Sequence, residues 1–443
     1  MERFIIDWLM VYIGDKLDRD QFGGQAGHSI AHYLIEIKNF ILYNQDLSTP
    51  LSTIFAGVNI SKGFNKQDHN IIITILGDEM NVPEWLLRIV ASYLSGRSLA
   101  LRRQGYTTGS EPMPGGTGAG CPLGLLLFLV MFNGAGPPAS RTSLGETITS
   151  TGRMRRPMDK RKAKWVDDMS CMASLHLPSS LVVDTRPGIP RPVPYRGRHG
   201  LMLPRESNPM QDELDFLNLY AKNHKISVNH QKTKIMLFSR HKRYDFVPEM
   251  QLIEDQNIEV VEEMKIVGYI LRSDLKTCSN TAYIVKKAYG RMWILRRLKA
   301  LGASRTRLLD VLQKQILSAL HLGVPAWNCL LTEQEKIDLE RVLKTALKII
   351  WGQEYTTFQE VIKDGNLKTL RQVREKIVTK FVKKSIKHHK FSKWFVPNTA
   401  PIMNTRAGNI TRFKQVTARR AFFKNSSIPT LTELANTLPT YSQ

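Results

Sequence analysis

The chain has 443 residues, 42% of them hydrophobic and 23% charged, enough apolar material for a substantial core in two or three subdomains. Its formal net charge of +24 sets self-repulsion against any compact form unless a polyanion is the partner; nucleic acid leads, and an anionic membrane surface comes second. The four cysteines, Cys121, Cys171, Cys278 and Cys329, form no C-x-x-C pair and lack matching histidine spacing, which argues against zinc and against a secreted disulfide scaffold.

In chain order, MERFIIDWLM carries a charge at Asp7 and no small-residue cleavage site, so no signal peptide is expected. Ser29 to Leu42 reads as a helix after the glycine-rich turn QFGGQAG. Asn70 to Ser95 has helical periodicity broken by Pro83. A loop rich in glycine and proline, EPMPGGTGAGCPLG, leads into an apolar run from Leu123 to Phe132 that is too short to span a bilayer. These features predict an intracellular protein, cytoplasmic or nuclear, with no membrane segment.

Thr151 to Lys164 is densely basic and precedes WVDD; a proline-rich insertion at roughly 177–209 follows and reads as a surface loop. Met210 to His224 predicts a helix, and ISVNHQKTKIMLF and VVEEMKIVGYIL predict strands. From about residue 280 the pattern turns helical. Thr281–Leu301 is one candidate, ended by Gly302, and Ser304 can cap the next. Thr332 with Glu335 forms a capping box before a stripe of Leu339, Val342, Leu343, Ala346 and Ile350.

Two adjacent acids in AKWVDDMSC raise a question of charge. Strand-like residues on both sides place Asp167 and Asp168 at the tip of a β-hairpin, where the two carboxylates repel unless they face a metal ion. By itself the pair is also a common exposed turn.

Six segments stand in a telling order: QFGGQAGHSI, GVNISKGFNKQDH, MPGGTGAGCPLGLLLF, KWVDD, NHQKTKIMLF and MKIVGYIL. Together they make residues 21–430 resemble the reverse transcriptase of non-LTR (LINE-like) retrotransposons, N-terminally truncated and with degenerate motifs. The tail segments LRQVREKIVTKFVKKSIKHHKFSKWF and ITRFKQVTARRAFFKNSSIPTLTELAN extend the resemblance.

The resemblance implies an α+β right-hand polymerase with an antiparallel-sheet palm, partial fingers and an all-helical thumb and C-terminal region. Partial fingers would occupy 1–56, the palm 57–279, the thumb 280–352 and a basic tail region 353–443. The implied activity is RNA-directed DNA synthesis, with an RNA template, a DNA primer and dNTPs as partners. In such chemistry two Mg²⁺ ions about 3.5–4 Å apart activate the primer hydroxyl and neutralise the leaving group. Hard oxygen ligands hold them.

Carried onto this sequence, Asp167 and Asp168 are the ligands from the hairpin, and Asn59 stands where the family has its third acid. Asn59 offers a neutral carbonyl in place of a carboxylate, which weakens the expected metal site. Asp68, nine residues on, is a poor substitute. Phe64 occupies the position of the aromatic under the sugar. Gly118, Ala119 and Gly120 replace Pro-Gln-Gly in the substrate-positioning loop, keeping close backbone approach but losing an amide. Lys232 matches the lysine beside the triphosphate, Gly268 and Tyr269 the primer grip. Upstream basic residues that would clamp the triphosphate are missing, and Lys38 is a candidate without an assignable role.

Lys286, Lys287, Arg291, Arg296, Arg297 and Lys299 interleave with Tyr289 and Trp293, and Lys376, Lys380, Lys383, Lys384 and Lys387 crowd a later helix. Such faces neutralise phosphates without reading sequence. The run Arg153 to Lys164 can contact template or form a loop. Against an active polymerase stands a second reading, a decayed fragment that binds nucleic acid and catalyses nothing.

Overall fold

The computed structural model describes residues 1–61, 63–118, 120–135, 160–175, 209–240, 251–252, 256–398 and 412–438. The proline-rich insertion up to residue 208, Ala119 and residues 153–159 of the basic run therefore lie outside the described residues. The chain is mixed helix and antiparallel sheet.

The N-terminal half comprises α1 (Glu2–Ile13), α2 (Ile30–Asp46), β1 (Ser52–Ser61), α3 (His69–Thr74), α4 (Glu84–Leu94) and α5 (Pro122–Met131). Then follow β2 (Lys160–Trp165), β3 (Asp168–Leu175), α6 (Pro209–Asn223), β4 (Ser227–Val228), β5 (Lys234–Phe238), and the hairpin β6 (Glu263–Ile266) and β7 (Tyr269–Arg272). Beyond residue 277 helices dominate: α7 (Cys278–Gly290), α8 (Met292–Ala300), α9 (Glu333–Trp351), α10 (Leu370–Lys387) and α11 (Ser427–Thr437).

β1 is the axis of the main sheet. β3 pairs with it antiparallel on one side, from Ser52↔Leu175 to Asn59↔Asp168. On the other side β5 and then β4 pair with it in succession, and β2 lies outside β3. Side chains alternate across a strand. So Ile54, Ala56, Val58 and Ile60 enter one core with α1, α4, α5 and α6, while Phe55 enters a second core on the opposite face. Both faces are covered, which is why β1 reads as a continuous apolar run instead of a clean alternation.

The second core is continuous from Phe22 to Ala435. It joins α2, the β6–β7 hairpin and the helices α7 to α11. α2 sits in its centre with fifteen of its seventeen residues buried, including Lys38 and Glu36. A helix apolar on most sides is stable only when surrounded. The C-terminal segment is accordingly packed, not loose: Val382, Phe391, Trp394, Ile428 and Leu431 are all buried.

Several local expectations meet their elements. Ser29 is the N-cap of α2, Pro83 stands at the N-cap of α4, and the Thr332–Glu335 box closes the start of α9 with its apolar stripe buried. The apolar run is α5, with Pro122 at its first turn. One expectation needs correcting. Thr281–Leu301 is two helices, because Arg291 interrupts the ladder just after Gly290, where the backbone has the least helical preference.

Candidate active site

Three segments meet at one end of the main sheet. Register places Asn59 opposite Asp168 and Trp165 opposite Asp168, so the Val166–Asp167 turn hangs beside the end of β1. The backbone N–H of Ile60 donates to the Asp167 carbonyl at 3.1 Å. On the other side of β1 the N–H of Asn229 donates to the Asn59 carbonyl at 2.8 Å. The Asn229 side chain in turn accepts from the Lys232 N–H at 3.1 Å. Sheet pairing thereby gathers Asn59, Asp167 and Asp168, and the Asn229 side chain adds the Lys232 backbone to them.

Val166, at the hairpin tip, has φ +56°, a left-handed conformation that a β-branched side chain resists. Its surroundings hold it there. The Gln21 side-chain oxygen accepts from the N–H groups of both Val166 and Gly23, each at 3.3 Å. Phe22 N–H donates to the Lys164 carbonyl, and Lys164 N–H to the Asp20 carbonyl, both at 2.8 Å. A Cβ on Gly23 would lie 2.8 Å from the Val166 nitrogen, so glycine is what lets this loop clasp the turn.

Electrostatics at the tip are uneven. Burial pushes the Asp167 carboxyl above the ordinary carboxylate value, the neighbouring Asp168 adds to the rise, and the exposed Lys232 ammonium opposes both. Asn59 Nδ2 donates to Asp168 Oδ1 at 2.8 Å. A carboxylate only accepts, so the amide must turn its nitrogen toward Asp168 and its oxygen elsewhere. One lone-pair direction of Asp168 is satisfied by an N–H, and no cation is needed to reconcile these two groups. No cluster of three His, Cys, Asp or Glu side chains able to hold a metal occurs among the described residues. The donor set here is two carboxylates and a neutral amide, one carboxylate short of the set expected to hold two magnesium ions. Asp68 is committed elsewhere: it caps α3 through the N–H groups of Asn70 and Ile71, and pairs with Lys225 at 2.6 Å.

The glycine-rich loop lies against the segment after β1. Gly116 N–H donates to the Gln67 carbonyl at 2.8 Å and Thr117 N–H to the Phe64 carbonyl at 3.0 Å. Gly116, Gly118 and Gly120 have φ of +81°, +76° and +101°, so three turns of this loop demand glycine's freedom. Phe64 is half-buried and stacks on Phe128 of α5, ring centroids 4.9 Å apart.

Other expected site residues need correction. Tyr269 has 2% of its surface exposed, and its hydroxyl accepts from Lys38 Nζ at 2.8 Å inside the core. Both side chains are buried and face each other in the core. Gly268 sits at the tip of the β6–β7 hairpin, where Val267 and Gly268 both have positive φ, as a two-residue turn of this hand requires. The basic strand β2 is equally internal. Lys164 Nζ contacts Asp18 Oδ2 at 2.6 Å and the carbonyls of Phe132 and Asn133 at 2.8 and 2.9 Å, while Lys162 also reaches Asp18 and Arg161 meets Glu36 at 2.8 Å. Burial pulls the Asp18 carboxyl up, but the Lys164 and Lys162 ammoniums outweigh it and hold the group below its ordinary value.

The Gln21 clasp and the Asp18 cluster were missed by sequence reasoning. Lysines at two-residue spacing inside a strand, Lys162 and Lys164, were the one available signal for the cluster. On α7 and α8, Lys286, Lys287, Arg296 and Arg297 are exposed beside Tyr289 and Trp293, themselves 39% and 62% exposed. Arg291 instead donates to the Gln315 carbonyl, and Lys299 caps α9 through the carbonyls of Ile349 and Ile350 at 2.8 and 3.0 Å. On α10, Lys376, Lys380, Lys384 and Lys387 are exposed. No helix among the described residues is long and apolar enough to cross a membrane.

No protein-family model and no curated protein matches the chain. Among solved structures, telomerase from Candida tropicalis in complex with a TWJ fragment of telomeric RNA is similar at 10% identity and a TM-score of 0.38, over 86% of this chain and 50% of that one. Apo telomerase from the same organism is similar at 10% identity and the same score, over 88% and 54%. The chain spans about half the length of these telomerase chains. A TM-score of 0.38 is too low to argue from.

Proposed function

We propose that this chain is a reverse-transcriptase-like body of retroelement origin that holds a primer–template by backbone charge, with its nucleotidyl-transfer centre disabled at Asn59. The Asn59–Asp168 hydrogen bond carries this reading. A polymerase centre needs a third carboxylate there to help hold its metal; here a neutral amide takes that place and turns its N–H to Asp168. Binding of nucleic acid is supported by the exposed Lys286, Lys287, Arg296 and Arg297 with two exposed rings between them, and by the exposed lysines of α10. Phosphate contact accounts for such a surface, and exposed rings add sequence-tolerant stacking.

A second reading, an active RNA-directed DNA polymerase, is favoured by the convergence of Asp167, Asp168 and Lys232 at one sheet end. Primer extension on an RNA template with dNTPs and Mg²⁺ separates the two. The chain as it stands is expected to bind the duplex and leave the primer unextended. Incorporation by the unmodified chain overturns the proposal in favour of the second reading. Recovery in Asn59→Asp alone locates the defect in that one side chain.

A further inference from the structure

A cavity of about 310 Å³ lies between the turn before α9, the first turn of α9 and the start of α10, and Arg374 forms part of its wall. Only 3% of Arg374 is exposed. Its Nε donates to the neutral Asn328 Oδ1 at 3.1 Å. Among the described residues its two terminal nitrogens have no acceptor and no carboxylate is paired with it. Burial pulls the guanidinium below the ordinary arginine value, against the pull of Glu340 and Glu375. A buried cation without a paired anion is the costly arrangement that proteins avoid.

The surrounding charges are already committed. Lys336 pairs with Glu333 at 2.7 Å and Arg371 with Glu375 at 2.9 Å. Glu340, which is not part of the wall, accepts from the Arg371 N–H at 2.8 Å through Oε1, and its Oε2 is buried without a partner, too far from Arg374 to pair. Pairing within the wall therefore leaves one positive charge uncancelled, that of Arg374. We propose that this cavity is a phosphate site anchored by Arg374. A guanidinium held through Nε presents its remaining N–H groups as a fork, which two oxygens of one oxyanion can take together. Both helices also begin here, and their N-terminal dipoles favour negative charge. A phosphate inside a strand has sugar on both sides and cannot follow an anchor this deeply buried. A terminal phosphate of a strand can, and so can free phosphate. The first source rests on the nucleic-acid reading above; the second does not.

Isothermal titration calorimetry of the full chain, freed of nucleic acid, with inorganic phosphate at constant ionic strength tests this. The expected result is saturable binding of one phosphate per chain. Affinity should fall at least about tenfold in Arg374→Gln, which loses a bidentate charge-assisted pair. It should stay native in Arg307→Gln, an exposed arginine outside the cavity. Asn328→Asp guards against a folding defect, because it gives Arg374 the carboxylate it lacks. That variant should melt at a higher temperature without phosphate and bind none. Strands of one sequence with and without a 5′-phosphate separate the sources. Tighter binding of the phosphorylated strand, lost in Asn328→Asp, assigns the cavity to strand ends; equal binding assigns it to free phosphate. A chain that binds phosphate but no strand supports this site and sinks the nucleic-acid reading. No saturable phosphate binding, acetate bound as tightly, or phosphate affinity unchanged in both Arg374→Gln and Asn328→Asp overturns the proposal.

Discussion

Lys164 Nζ lies 2.6 Å from Asp18 Oδ2 and is fully enclosed, two positions before the turn that bears Asp167. A buried cation of this kind ties α5, the N-terminal loop and the hairpin strand into one unit. Lys164→Met removes the nearer of the two lysines that neutralise Asp18 and leaves Lys162 alone at 3.3 Å, a loss of at most about 3–5 kcal/mol. Urea denaturation of the variant measures it. A double variant that also carries Asp18→Asn should recover part of the loss.

The same lysine gives a pH signature. Burial pushes its ammonium down to about 8, against the pull of Asp18, from an ordinary value of 10.5. Between those two values the unfolded chain binds more protons at this position than the folded one. Stability from this group therefore rises with pH across that window. Denaturant midpoints followed from pH 8 upward should climb more steeply in the native chain than in Lys164→Met. Equal slopes would sink the assignment.

Asn59→Asp puts a third carboxylate opposite Asp168 and removes the N–H that now satisfies it. Without divalent cations the variant should lose about 1–3 kcal/mol, from the lost hydrogen bond and like-charge repulsion. Mg²⁺ should restore much of that loss in the variant while leaving the native chain nearly unmoved. Thermal melts with and without Mg²⁺ read this independently of any polymerase activity.

Gly23→Ala brings a methyl group to 2.8 Å from the Val166 backbone nitrogen. Backbone cannot swing aside as a side chain does, so the loop or the hairpin tip must shift, at a cost of about 1–3 kcal/mol. The drop appears in chemical denaturation. Gly105→Ala, where a methyl meets open space, controls for crowding, though its positive φ adds backbone strain of its own.

Replacing Lys286, Lys287, Arg296 and Arg297 by alanine should weaken duplex and single-strand binding alike. It should also flatten the plot of log affinity against log salt by about one unit per lost phosphate contact. Fluorescence anisotropy over a salt series gives the slope. A fall in affinity for one base sequence only would contradict charge-based holding.

What was legible in the sequence was local or periodic. The Thr332–Glu335 box, the Pro83 break and the α9 stripe follow from neighbours within a few turns, so reading them required no tertiary knowledge. The convergence of Asn59 with Asp167 and Asp168 was legible through motif order. The fates of the charged side chains were not. Lys38 and Tyr269 are 231 residues apart and meet in the core. Nothing near Lys38 announces its burial, since α2 reads as amphipathic until the C-terminal helices close over it. The strand KRKAKW looks like a nucleic-acid face because its acidic partners, Asp18, Glu36 and Glu213, come from distant segments.

The enclosure of α2 by helices from the far end of the chain bears on biosynthesis. His32 Nε2 meets the Ser385 hydroxyl at 3.1 Å, Trp394 donates to Glu36, and Leu431 shares a core with Tyr33. Until a ribosome has made the last hundred residues, this early helix lacks shelter for the apolar side turned away from the sheet. A chain cut short late in translation would keep the side of α2 that rests on the sheet, through Tyr33 and Ser170, and lay bare the side that the C-terminal helices cover.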